Sequence, residues 1–274
     1  VEVGFTSNAI IAMVLVSLTA VIILGGLKRI SNAASKMVPS MVILYFVLVL
    51  FILISNYEVV PKYFVMIFTD AFAAKNFKGE PFFGGVLGAL ILLGIRRGAF
   101  SNEAGIGTAP MAHGAAKTDE PVREGLVAML GPAIDTLVVC TLTALAILVT
   151  GVWETTSDNG VSLTASAFNH AMPGYGAYLL MICVLIFSVS SLFSYAYYGS
   201  KCLSFLIGAD KKHYYNYIYI ISIILAVTTP FSMMLNLIDG VFALMAIPTM
   251  ISTIIMAPRV VKEIKGYIER IKED

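Results

Sequence analysis

Arg96-Arg97-Gly98-Ala99-Phe100-Ser101-Asn102-Glu103-Ala104-Gly105-Ile106-Gly107-Thr108-Ala109-Pro110 falls where an apolar helix should still be crossing a bilayer. The run before it, residues 82–95, has 14 residues and spans about 21 Å at 1.5 Å per residue. A hydrocarbon core of about 30 Å needs about 20 residues. Three glycines, a proline, an Asn, a Ser and a Glu then interrupt the apolar pattern. Irregular backbone at membrane depth is tolerated only where protein or a water-filled cavity surrounds it. In transporters the freed N–H and C=O groups meet the substrate and the coupling ion between two half-helices. Half-helix N-termini favour a carboxylate, and freed carbonyls suit an ammonium or Na⁺. The alternative is a crossing that ends at Ile95, with 96–123 as a loop. Against it, only Glu103 and Lys117 carry a full charge between Gly98 and Thr118. A Gly-x-Gly with no preceding strand is no dinucleotide fingerprint.

Working outward, the 274 residues are 58% hydrophobic and 13% charged, with a mean hydropathy of +0.88. Soluble domains are about 25% charged, so the chain reads as an integral membrane protein. Its formal charge of +1 offers no basic excess to neutralise phosphates, which excludes nucleic acid as a partner. Cys140, Cys183 and Cys202 lie in or beside apolar runs and form neither a disulfide framework nor a zinc spacing. Residues 1–7 hold no basic n-region or cleavage site, and no initiating Met precedes them. The expectation is a chain that starts within a longer protein.

Apolar runs at 8–27, 38–55, 124–150, 175–199, 214–230 and 236–258 are span candidates, and the interrupted 82–116 makes seven. Segments 28–37, 113–123, 201–213 and the tail from Arg259 hold 13 of the 18 Lys and Arg residues. The opposite side holds only Lys62, Lys75 and Lys78. That bias makes the basic side and the C-terminus cytoplasmic, with residue 1 outside. Segment 60–74 reads as a surface helix, and 151–174 as a loop with a turn at Asp158-Asn159-Gly160. The organisation expected is a membrane core, 1–258, and a cytoplasmic tail, 259–274. The tail places Ile264, Ile268 and Ile271 on one helical face, for solvent or for the membrane surface.

Residues 96–151, RRGAFSNEAGIGTAPMAHGAAKTDEPVREGLVAMLGPAIDTLVVCTLTALAILVTG, carry a family pattern. They resemble the signature of the alanine/glycine:cation symporters, the sodium:alanine symporter family. That signature is an RG-x-F-SNEAG-x-G-x-AP-x-AHA block followed by x-DT-x-x-x-CT-x-TA. The matching residues are Arg97, Gly98, Phe100 to Gly105, Gly107, Ala109, Pro110, Ala112 and His113, then Asp135, Thr136, Cys140, Thr141, Thr143 and Ala144. Upstream, Gly25 to Ile30 with Val38-Pro39 resembles the family's GGIKRI…VP segment. Downstream, Phe187 to Ser191 and Tyr197 to Gly199 resemble its F-x-F-ST…W-x-YYGE stretch. The resemblance implies an all-α transporter fold of two inverted five-helix repeats, of which this chain covers core helices 4 to 10. Segment 82–116 is then core helix six. Its partner broken helix would belong to the missing N-terminal helices of the same protein.

The break, residues 99–107, should present backbone to a small amino acid, with Phe100, Ser101, Asn102, Ala104 and Gly105 lining the pocket and Phe100 as an apolar wall. Close helix packing is the alternative for the glycines, and plain packing for Phe100. Glu103 is costly at membrane depth; it serves either as a proton or cation partner or as a structural pair for Arg96 or Arg97. Asp135, with Thr136, is read as supporting the break by hydrogen bonds rather than by ligating an ion. The Phe187 carbonyl with the Ser190 and Ser191 hydroxyls offers three oxygens to Na⁺, or else Ser190 and Ser194 serve helix packing. The resemblance implies the ion role, because a hydroxyl pair on core helix eight serves it in the superfamily. Here Ser191 replaces the family's usual Thr, Ser200 its Glu and Tyr195 its Trp, a change that reshapes the pocket if Tyr195 faces substrate. His113 and His170 are either proton relays or ordinary loop and interfacial residues.

The resemblance thus implies a symporter in the cell membrane that brings alanine- or glycine-type amino acids into the cell with Na⁺, by alternating access. H⁺ coupling to another small amino acid is the alternative. A membrane-embedded hydrolase using Glu103, Asp135 and His113 lacks zinc spacing, an activated Ser or a Cys–His pair. No enzyme activity is expected, and no cofactor beyond the coupling ion.

Overall fold

The computed structural model describes residues 5–23, 25–71, 86–211 and 213–273. Among them it is all-helical: α1 (Phe5–Ile23), α2 (Gly26–Ser55), α3 (Val60–Ala71), α4 (Val86–Asn102), α5 (Ala109–His113), α6 (Pro121–Ala133), a π-helical segment (Ile134–Cys140), α7 (Thr141–Thr150), α8 (Val152–Thr155), α9 (Val161–Ala171), α10 (Gly176–Ile207), a 3₁₀ turn (Ala209–Lys211), α11 (His213–Thr228) and α12 (Phe231–Glu273). Among the described residues, four stretches are long and apolar enough to cross a bilayer: Asn32–Ser55, Pro121–Thr150, Gly176–Ile207 and Phe231–Lys272. Large apolar side chains on them face outward, such as Val47, Leu130, Met181 and Ile254. This is the surface of a multi-pass membrane protein, where lipid replaces water outside.

The chain divides into two compact bodies, residues 1–73 with 141–230 and residues 74–140 with 231–274. In the first body, Val49 and Ile52 of α2, Ala146 and Val149 of α7, Phe168 of α9 and Leu180 and Cys183 of α10 form the main core. Tyr45 stacks on Phe168 and shares a hydrogen bond with the Thr143 hydroxyl. A second cluster joins Ile30, Val189 and Phe193, flanked by Leu15 and Ile22 of α1. The second body holds α4, the break, α5, α6, the π segment and α12.

Three expectations change. Residues 28–37 do not form a connection: α2 starts at Gly26 and continues through Pro39. Lys, Arg, Ala and Met are strong helix formers, so charge there does not mark where the helix stops. Segment 151–174 is not a loop, because it folds into α8 and α9, and α9 buries Ala167 and Phe168 completely. The Asp158-Asn159-Gly160 turn does precede α9, with Gly160 at φ +57. Finally, the helix of the last span does not end at Pro258, since α12 runs 43 residues, about 64 Å, from Phe231 to Glu273. Its apolar Ile264, Ile268 and Ile271 are exposed, while Arg270 Nη2 donates to Glu120 Oε2 at 2.8 Å. The surface helix expected at 60–74 is α3 as far as Ala71; residues 72–85, with the start of the 82–116 span, lie outside the described residues.

Candidate functional site

The interruption lies between Asn102, the last residue of α4, and Ala109, the first of α5. The sequence places its onset at Ala99. The helix instead carries Gly98 to Asn102, because a lone glycine in a helix costs only about 1 kcal/mol. The backbone then turns left-handed three times, at Glu103 (φ +56), Gly105 (φ +82) and Gly107 (φ +91). Among the described residues Glu103 is the one non-glycine with positive φ, a conformation held only when its surroundings impose it.

What imposes it is a set of side-chain bonds around the end of α4. Asn102 Oδ1 accepts the Ala104 N–H at 2.9 Å, closing an Asx-type turn over Glu103. Asn102 Nδ2 donates to Thr136 Oγ1 at 2.9 Å, and Ser101 Oγ donates to Asp135 Oδ2 at 2.7 Å. Asp135 and Thr136 belong to the π-helical segment that follows Pro132. Proline lacks an N–H and clashes with the carbonyl four residues earlier. The wider π register starts two residues later, and such segments recur at functional sites.

On its other side the break faces α12. A cavity of about 530 Å³ opens there, lined by Ala99, Ala104 and Gly105 with Asn236, Asp239 and Phe242 of α12. Phe100 packs on Phe242 with ring centroids 5.5 Å apart. Ala104 and Gly105 thus border open space, Phe100 stands behind its wall, and Ser101 and Asn102 turn toward the π segment. Arg97 Nη2 pairs with Asp239 Oδ2 at 3.4 Å. Neither Arg96 nor Arg97 forms an ion pair with Glu103 among the described residues. Further along, Ile106 and Thr108 are each 3% exposed, and Gly107 approaches Thr249 of α12. His113 Nδ1 lies 2.6 Å from Glu124 Oε1, tying α5 to α6. Asp239, Phe242, Thr108 and Thr249 are site neighbours that sequence reasoning missed; only Pro132 gave any sign of the π segment.

The oxygens suggested for Na⁺ lie on α10 in the first body. Ser190 is buried and donates to the Phe187 carbonyl at 2.8 Å, while Ser194 donates to the Ser190 carbonyl at 3.2 Å. Ser191 is partly buried beside them. Each of these hydroxyl oxygens keeps a lone pair when so bonded. Tyr195 meets Tyr198 edge-on at 6.0 Å, and Tyr219 Oη donates to the Leu192 carbonyl at 2.9 Å.

The profile of the sodium:alanine symporter family matches residues 2–274. The chain is 37% identical over 268 residues to the sodium/alanine symporter AgcS of Methanococcus maripaludis, covering 97% of this chain and 58% of that protein. It is 31% identical over 268 residues to the probable sodium/glutamine symporter GlnT of Bacillus subtilis, covering 97% and 55%. It is 32% identical over 204 residues to a sodium/proton-dependent alanine carrier protein of Bacillus sp. strain PS3, covering 69% and 45%. These relatives are named as symporters and carriers, not as enzymes. The chain spans somewhat over half the length of the first two.

Proposed function

The chain belongs to the sodium:alanine symporter family, and we propose that the protein containing it carries a small neutral amino acid of the alanine or glycine type into the cell with Na⁺. The observation that carries this reading is the left-handed break at 103–108, which borders a cavity through Ala104, Gly105 and Ile106 and is braced by Asp135 and Thr136 on its other side. Such a segment offers unpaired backbone groups to a zwitterion at membrane depth. Ala104 and Gly105 border the amino acid with Phe100 backing the apolar wall, Ser101 and Asn102 hold the turn, and Glu103 stays at its strained apex. The Phe187 carbonyl with the Ser190 and Ser191 hydroxyls contributes to holding Na⁺, and Tyr195 shapes the substrate pocket. The core follows the inverted-repeat fold and works by alternating access, with the C-terminus cytoplasmic.

The experiment uses the full-length protein in proteoliposomes and follows labelled alanine against its gradient. Accumulation that requires an inward Na⁺ gradient is the expected result. Accumulation driven by a pH gradient alone would replace Na⁺ with H⁺ and move attention to Glu103. No accumulation under either gradient would overturn the reading.

A further inference from the structure

Two hydroxyls among the described residues are buried without a hydrogen-bond partner, Thr19 Oγ1 and Thr108 Oγ1. Thr19 sits in the middle of α1, whereas Thr108 ends the break. Buried polar groups are almost always paired, so an orphan calls for an explanation. Thr108 is 3% exposed and stands just before α5, yet its side chain caps nothing there. Its carbonyl accepts the Met111 N–H at 2.9 Å, but part of the backbone before it is also unpaired. Among the described residues, the N–H groups of Gly105, Gly107 and Thr108 have no acceptor, although those of Ala104 and Ile106 do. Gly107 is left-handed at φ +91 and Thr108 right-handed at φ −80, ψ −38. Successive N–H groups in such alternating conformations converge into a concavity that suits an anionic oxygen.

We propose that Thr108 is a ligand-binding residue, its hydroxyl donating to the α-carboxylate of the bound amino acid beside the free N–H groups of the break. This rests on the transport reading above and adds to it the end of the substrate that the break receives. An orphan hydroxyl that completes itself on the ligand also explains why a threonine is buried where a valine would fill the same volume. Glu103, one turn away in sequence, has its own carboxylate, so the α-carboxylate must dock on the Gly107–Thr108 side of the loop.

The test compares Thr108→Val and Thr108→Ser with wild type in the full-length protein, at saturating Na⁺. Three quantities are measured: alanine affinity, affinity for alaninamide, which lacks the carboxylate charge, and thermal stability without ligand. A hydrogen bond to a charged group predicts that Thr108→Val weakens alanine binding about tenfold or more. Alaninamide binding should change far less, and Thr108→Ser should stay near wild type. The unliganded Thr108→Val protein should be at least as stable as wild type, since it loses an unsatisfied polar group. Unchanged alanine affinity in Thr108→Val overturns the proposal, as does an equal loss for alaninamide. A Thr108→Val protein that loses stability but binds alanine normally also overturns it, because the hydroxyl is then structural. If the wild-type protein binds no small amino acid at all, the transport reading itself fails, a result distinct from each of these.

Discussion

Replacing Gly107 by Ala tests the geometry of the break through one added atom. At φ +91 a side-chain-bearing residue is strained by roughly 1–2 kcal/mol. The new Cβ would also stand 2.7 Å from Thr249 Oγ1, well inside contact distance. Thr249 is β-branched on a helix and has few rotamers in which to retreat. Moving it breaks its hydroxyl bond to the Met245 carbonyl, 2.9 Å long and worth about 1 kcal/mol. Gly107→Ala should therefore destabilise the protein by roughly 2–3 kcal/mol. Thr249→Ala in the same chain removes the colliding oxygen and should recover about 1 kcal/mol of that, leaving the backbone strain. The assay is equilibrium or thermal unfolding of the purified full-length protein in detergent, for wild type, both single variants and the double variant. Wild-type stability in Gly107→Ala would refute the left-handed turn. An uncoupled pair would refute the approach of α12 to the break.

Asn102→Ala removes both bonds that hold the turn over Glu103 and should cost roughly 1–3 kcal/mol in the same unfolding assay, with Thr136→Val costing about half as much. Equal effects of the two would mean the Ala104 N–H bond contributes nothing. On the proposed ion site, Ser190→Ala with Ser191→Ala should raise the Na⁺ concentration for half-maximal uptake by about tenfold or more, because two candidate oxygen ligands of a hard cation are removed; an unchanged Na⁺ dependence would remove these serines from the ion site. Gly199→Ala places a Cβ against the Tyr215 ring and should cost about 1–3 kcal/mol by overpacking, read as a lowered unfolding midpoint. By contrast, Arg270→Ala breaks an exposed pair with Glu120 and should change stability by less than about 1 kcal/mol; a larger loss would show the end of α12 to be more tightly docked than that pair implies.

The location of the break was legible in the sequence because Gly105, Gly107, Asn102 and Pro110 are costly in a continuous span. Its onset was not, since residues 99–102 have ordinary helix propensity and only the bonds from Asp135 and Thr136 decide how they end. Asp135 and Thr136 stood out as polar residues within an apolar run. The π register that aims them arises from where Pro132 interrupts the helix, and no residue type encodes a five-residue repeat. Polarity misled at 28–37 and 151–174 for one reason: it reports where a helix leaves lipid, not where it stops. Phe168 shows the cost of that confusion, being fully buried on a helix within an otherwise polar connection. The Arg97–Asp239 pair joins residues 142 positions apart, beyond the reach of any local pattern. The orphaned Thr108 hydroxyl is a property of packing alone.

The claim that the break is where the amino acid binds is tested most directly at Ala104, which borders the cavity. In full-length protein with Cys140, Cys183 and Cys202 replaced by alanine, Ala104→Cys is labelled with a small thiol reagent in the presence and absence of alanine and Na⁺. The account predicts that alanine with Na⁺ slows labelling several-fold, and that alanine without Na⁺ leaves it unchanged. A variant that still accumulates alanine yet is labelled at one rate under all conditions would contradict it.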